Sequence, residues 1–282
     1  MSYIIETALE LACVYSFVAL ALFLSFRILD IADLTIDGCF VLGMCVSIVC
    51  TLNNHPLLGI LLGMMSGALA GLVTALLQTK LGVPSILAGI ITNTALYTIN
   101  LMVMGFSSNI SILRNKTIFN GNKLLLLVLI VVVAMILLRY FLSTRLGLSI
   151  RATGDNIDMV SASSINPKAC ILIGLIISNM LTGLGGALAG QLQKSADINA
   201  GNGIVTIGLA TLIIGETLIN GKKSISRNII ACLIGNIIYR LVYAFILQTH
   251  IIPIECLKLM TALIITLAIA LPYLKDRKKA LC

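Results

Sequence analysis

Apolar runs recur from one end of the chain to the other, broken by short polar stretches. They fall at 4–26, 35–52, 57–79, 84–104, 123–143, 169–191, 203–220, 228–249 and 255–274. A run of about 20 residues crosses a hydrocarbon core of about 30 Å as a helix. Strands of a membrane barrel would instead alternate apolar and polar positions, and these runs do not. The pattern therefore predicts an all-α polytopic membrane protein with about 8–10 transmembrane helices. Residues 1–282 read as a single transmembrane domain.

One interval breaks the pattern. Asp30, Asp33 and Asp37 make 28–38 a poor loop and a poor helix, so a re-entrant segment is expected there. Irregular backbone at membrane depth survives only where protein or a water-filled cavity covers it. An echo appears later in the chain. "ADLTIDGCFVLGM" (Ala32–Met44) and "ADINAGNGIVTIGLA" (Ala196–Ala210) each place an Ala-Asp pair ahead of a glycine-punctuated helix start. In the topology read below, the two helices run in opposite directions, as in an inverted repeat whose interface holds a pathway. Chance similarity in a Gly- and Ala-rich chain is the other reading. Asp33 and Asp197 then either cap helix starts or line that pathway.

Composition agrees with the membrane assignment. Hydrophobic residues make up 59% and charged residues 11% of the chain, against about a quarter charged in soluble domains. The net charge of +8 belongs to orientation signals at the loops, not to nucleic-acid binding. Thirteen Lys and Arg lie on one set of loops (Arg27; Lys80; Arg139 to Lys168; Lys222 to Arg227; Lys275 to Lys279) and five on the alternate set. The first set is cytoplasmic by the positive-inside rule. The C-terminus is then cytoplasmic, and an odd span count leaves the N-terminus outside. The start of the chain lacks a basic leader and a small-residue cleavage site, so its first run reads as a retained span.

No enzyme constellation emerges. His55 and His250 sit far apart in the sequence, and the eight cysteines form no CxxC or Cys/His cluster, which predicts no metal site and no disulfide framework. "GETLINGKKS" (Gly215–Ser224) has five residues between its glycines, one too many for a phosphate loop. If ATP drives this protein, another subunit binds it. Glu6 and Glu10 stand one helical turn apart and could mark a polar face. Polar residues inside apolar runs are Asn93, Asn100, Asn179, Gln191, Glu216, Asn236 and Arg240. Each either hydrogen-bonds between helices or faces a pathway. The pathway candidates are Asp33, Asn93, Asn179, Gln191, Asp197 and Glu216.

A polar stretch, "RLGLSIRATGDNIDMVSASSINP" (Arg145–Pro167), sits in the middle of this apolar chain. Its residues suit a short helix after Arg151, and Asn166-Pro167 opens the next one. It is either a solvated loop or a helix that docks on a partner. "GLSIRATGDN" resembles the cytoplasmic coupling segment of ATP-binding-cassette importer permeases of the branched-chain amino acid and ribose class, with Gly147, Arg151, Ala152, Gly154 and Asn156 on their pattern. "ILDIADLTIDGCFVLG" (Ile28–Gly43) and "GNGIVTIGLATLIIGE" (Gly201–Glu216) resemble two further segments of the same permeases. Within the class, "ADLTIDG" and "RATGDN" are most similar to permeases of aromatic amino acid importers. Two departures stand out: Ser164 where relatives often carry Gly, and Lys194-Ser195 where they often carry Gly-Phe.

The resemblance implies a non-enzymatic transport subunit without a cofactor of its own, in a bacterial plasma membrane. Its partners would be an ATPase subunit, an extracytoplasmic solute-binding protein and a second, identical permease chain. The segment at about 145–167, with Gly147, Arg151, Ala152, Gly154, Asp155 and Asn156, would couple it to the ATPase. A sugar or nucleoside importer of the same class and an ion-coupled secondary transporter remain as alternatives. A membrane-embedded enzyme lacks convergent catalytic groups.

Overall fold

The computed structural model describes residues 2–119, 121–219 and 224–248, together with the isolated helical residues 262, 263, 266 and 270. The ninth apolar run, at 255–274, otherwise lies outside the described residues. So do His250 and the basic C-terminal stretch. Among the described residues, ten α-helices and two short strands follow one another ahead of those isolated positions. They are α1 (Ser2–Leu22), α2 (Ile36–Leu52), α3 (Pro56–Thr79), α4 (Ser85–Val103), β1 (Asn109–Ser111) and α5 (Lys123–Ser143). Then come α6 (Arg145–Asp155), α7 (Ile157–Ala162), α8 (Pro167–Gln193), β2 (Ser195–Asp197), α9 (Ile204–Ile219) and α10 (Ile225–Gln248). A π-helical turn, Phe23–Ile28, extends α1. Among the described residues, 6 helices are long and apolar enough to cross a membrane. The chain is an all-α, multi-pass membrane protein.

Long apolar helices associate through close backbone approach, since lipid is as apolar as their side chains. The central seam is α2 and α3 packed on α8. Gly67 and Gly183 meet there, and a Cβ on Gly183 would stand 3.0 Å from the Gly67 Cα. Hydrogen bonds set the direction of α1. Ser178 Oγ donates to the Ala21 carbonyl at 2.9 Å, and Gly185 lies against Phe17. Thus α1 runs antiparallel to α8, and its N-terminus shares a face with the C-terminus of α8. The antiparallel pair β1–β2, with Asn109 opposite Asp197, lies on that face too. This is the hairpin face; α6 and α7 lie on the opposite one.

The unwinding expected near 28–38 is present at residues 29–35. After the π turn the chain reverses near α6 and climbs along α8 as irregular backbone. Leu29 packs on Gly174, and Asp33 bonds Asn179. Only at Ile36 does α2 begin, and it has 17 residues. Its counterpart α9 has 16 residues and follows the irregular stretch 198–203. Gly201 lies against the Asp37 backbone, Gly208 against Leu22, and Glu216 reaches Arg27. So α9 runs toward the α6 face while α2 runs away from it. The two halves of the sequence echo are two broken helices of opposite direction, with their N-terminal ends together in the interior.

The polar stretch is more helical than its sequence suggests. A helix is expected only after Arg151, but α6 starts at Arg145, because the Thr144 side chain accepts from the Gly147 N–H at 3.2 Å and caps it. Gly147 is therefore inside the helix, pressed against the preceding turn at Leu142.

Candidate functional site

Asp33 and Asp197 hold the two breaks in the same way. Asp33 Oδ1 accepts from the Thr35 N–H at 2.9 Å, and its Oδ2 accepts from Asn179 Nδ2 at 2.6 Å. Asp197 Oδ1 accepts from the Asn199 N–H at 2.7 Å, and its Oδ2 from Asn109 Nδ2 at 3.3 Å. Each carboxylate closes a turn two residues on and takes one asparagine amide from another element. Neither caps a helix start. Their surroundings differ: Asp33 is 1% exposed, whereas Asp197 sits in the hairpin strand and bonds at the surface.

The capping role falls to Asp37, whose charge, with those of Asp30 and Asp33, makes 28–38 a poor helix. Asp37 lies in the first turn of α2, and its Oδ1 accepts from the Val205 N–H at 2.8 Å. Its Oδ2 accepts a longer bond, 3.4 Å, from the Gly203 N–H. Free N–H groups and the positive end of a helix dipole favour an anion at such a start. Here the anion comes from the opposite broken helix. The sequence signal was a carboxylate inside an otherwise apolar helix start. Its partner, 168 residues away, has no local signature.

The other pathway candidates do not converge on this point. Asn93 stands beside Gly38, and Asn100 Nδ2 donates to the Gly38 carbonyl at 3.2 Å, so both brace α4 against α2. Gln191 bonds Ser47 Oγ at 3.0 Å and the Pro56 carbonyl at 2.8 Å, and accepts from the Ile118 N–H at 3.3 Å. It staples the hairpin-face end of α8. Glu216 is not deep in its helix as the sequence implies: it lies in the last turn of α9, 2.9 Å from Arg27 Nε. Asn236 Nδ2 donates to the Ala12 carbonyl at 3.2 Å, and the Arg240 guanidinium lies 3.7 Å above the Tyr15 ring. No group of three metal-ligating side chains occurs among the described residues.

On the opposite face, α6 and α7 present a continuous outer surface. Leu148, Asp155, Asn156, Ile157, Asp158 and Met159 are exposed there. Asn156 Oδ1 accepts from the Met159 N–H at 3.0 Å and sets the corner between the two helices. Arg151 and Ala152 are half-buried. Gly154 points inward, where a Cβ would collide with the Ile28 carbonyl oxygen. The matched motif thus divides into an outward part around Asp155 and Asn156 and an inward part seated on the first break.

A model of the family described as branched-chain amino acid transport system, permease component, matches residues 4–269. A tyrosine transport system permease protein of Clostridioides difficile is 34% identical over 94% of this chain and 90% of its own length. An uncharacterized protein of Rickettsia prowazekii is 32% identical over 95% of this chain and 97% of its own. A D-allose transport system permease protein of Escherichia coli is 36% identical over 36% of this chain and 31% of its own. No solved structure matches the chain. With the family match running through both broken helices and the α6–α7 corner, the chain belongs to the permease components of ATP-binding-cassette transport systems of the branched-chain amino acid type.

Proposed function

We propose that the chain is the membrane-spanning subunit of an ATP-driven importer, carrying an amino acid of the aromatic kind across a bacterial plasma membrane. Two identical copies enclose the pathway. A separate ATPase subunit binds ATP and docks on α6–α7 at the cytoplasmic face, and an external binding protein delivers the solute to the hairpin face. The observation that carries this reading is the seat of Gly154 on Ile28. It joins an exposed docking surface directly to the backbone that leads into a broken helix. Closure of the ATPase pair moves α6, and the break at 29–35 passes that displacement to the interior as a rigid-body shift. The tyrosine-system relative supports the solute class, since it is similar along nearly the whole chain. The D-allose relative is similar over about a third of it.

Two measurements test this. Vesicles holding the permease, its ATPase and its binding protein should take up tyrosine or tryptophan when ATP is supplied. Uptake driven by an imposed ion gradient without the ATPase would favour a secondary transporter; ATP-driven uptake of a sugar alone would reassign the solute. For orientation, Met159→Cys on α7 should resist an impermeant thiol reagent in intact cells, and Leu113→Cys near β1 should react. The reverse labelling pattern would invert the assigned topology.

A further inference from the structure

The hairpin face holds a cavity of about 390 Å³ between the first turns of α1, the start of α5 and the end of α8. Pockets for small molecules span roughly 300–1,000 Å³. Its walls carry charge of both signs. Glu6 and Glu10 come from one face of α1, a turn apart; Asn122 and Lys123 open α5; Leu192 and Gln193 close α8. Three features of these walls point to a ligand. First, Glu10 is 9% exposed and has no hydrogen-bond or ion-pair partner among the described residues. Its carboxylate oxygens are not among the fully enclosed unpartnered atoms, so they open into the cavity and are available to a group that enters it. Second, Lys123 lines the same space and its charge acts on Glu10, with no direct ion pair between them among the described residues. Third, α5 is a 21-residue helix whose Asn122 makes no side-chain cap bond, leaving its first N–H groups and its positive dipole end free beside Lys123.

We infer that this cavity binds a zwitterionic amino acid, its ammonium on Glu10 and its carboxylate between Lys123 and the start of α5. Leu11 and Leu192 give the side chain apolar contact, and Thr7 and Gln193 line the rest. A lone anion would face two glutamates, and a lone cation would face Lys123; a molecule with both charges a few ångströms apart satisfies both walls. Charge-assisted hydrogen bonds at each end set the orientation. The inference rests on the importer reading for its meaning, as a vestibule on the face where the binding protein releases solute. Its test does not depend on that reading.

The full-length chain in lipid nanodiscs is titrated with radiolabelled tyrosine, tyramine (no carboxylate) and 3-(4-hydroxyphenyl)propionate (no ammonium). Tyrosine should bind more tightly than either analogue. Glu10→Gln should weaken tyrosine by about tenfold or more, a loss of about 1.4 kcal/mol, and should not weaken the propionate. Lys123→Met, at an exposed position, should weaken tyrosine similarly and should not weaken tyramine; Lys123→Arg should keep tyrosine binding. No tyrosine binding, or binding indifferent to both variants, overturns the site even if vesicles import tyrosine. Conversely, charge-dependent binding with no ATP-driven uptake would keep the site and remove the importer reading.

Discussion

The carboxylate of Asp37 in α2 is the cap of α9, bonded to the Val205 N–H at 2.8 Å. One broken helix thus completes the start of the other. Because the bond crosses between elements, its loss acts on their docking as well as on a helix end. Asp37→Ala should cost about 1–2 kcal/mol, the upper range for a lost cap, read as a lower melting temperature in detergent. Asp37→Asn keeps one acceptor oxygen and should fall between alanine and wild type. Equal melting temperatures for all three would show that the bond does not hold the helices together.

Asp33 and Asp197 share a geometry but not an environment, so their variants should separate. Asp33→Ala removes the acceptor for the buried Thr35 N–H and one of the two acceptors of Asn179 Nδ2, which keeps its bond to the Leu175 carbonyl. Orphaning such groups costs about 1–3 kcal/mol, and assembled protein should fall accordingly. Asp197→Asn preserves an acceptor at the surface and should stay within about 0.5 kcal/mol of wild type. Uptake per assembled complex should be near normal for Asp197→Asn; a large drop there would mean that its charge, not its turn, is what transport uses.

The coupling motif contains two kinds of residue. Gly154→Val drives a side chain into the Ile28 carbonyl and should lower the amount of folded protein, because backbone has to move to admit it. Arg151 is half-buried on α6, and Arg151→Ala should leave expression intact while lowering ATP hydrolysis by the complex. Quantifying membrane protein and hydrolysis for both distinguishes them. A Gly154→Val chain that accumulates normally would contradict the close approach.

Ser164 and Lys194 adopt left-handed backbone, with φ of 61° and 55°. These are the places where the sequence departs from the glycine often found in similar permeases. For a residue with a Cβ, that conformation costs roughly 1–2 kcal/mol, partly offset by the extra freedom glycine has when unfolded. Ser164→Gly and Lys194→Gly should therefore raise the melting temperature modestly, by up to about 1 kcal/mol of stability each. A drop in either variant would mean that its side chain makes a contribution larger than the strain.

Much of the fold was legible because lipid imposes a simple rule on sequence. The run 123–143 is continuous, bounded by Lys123 and Ser143, and α5 occupies those residues. The clustered aspartates marked the first break, since no continuous lipid-facing helix would carry them. What stayed hidden depends on pairing across the chain. The Arg27–Glu216 ion pair joins residues far apart in sequence, and either alone reads as a loop charge or a buried acid. The early start of α6 turned on Thr144, an unremarkable residue until its hydroxyl is seen under the Gly147 N–H. The cavity at Glu10 and Lys123 was likewise legible only as a polar helix face, because its opposite wall comes from α5 and α8.

Asp37 has a consequence for the electrostatics of this junction. Where two half-helices meet inside a membrane, their combined positive ends make an attractive seat for the carboxylate of a passing solute. In this chain that seat is already taken by a carboxylate of its own, bonded to the backbone of α9. A transported anion arriving there would meet like charge instead of free donors. The chain thus neutralises from within what would otherwise be an anion-binding seat. Two N–H groups at the start of α9 are therefore already occupied, and the meeting point of the broken helices is closed by a group from within the chain.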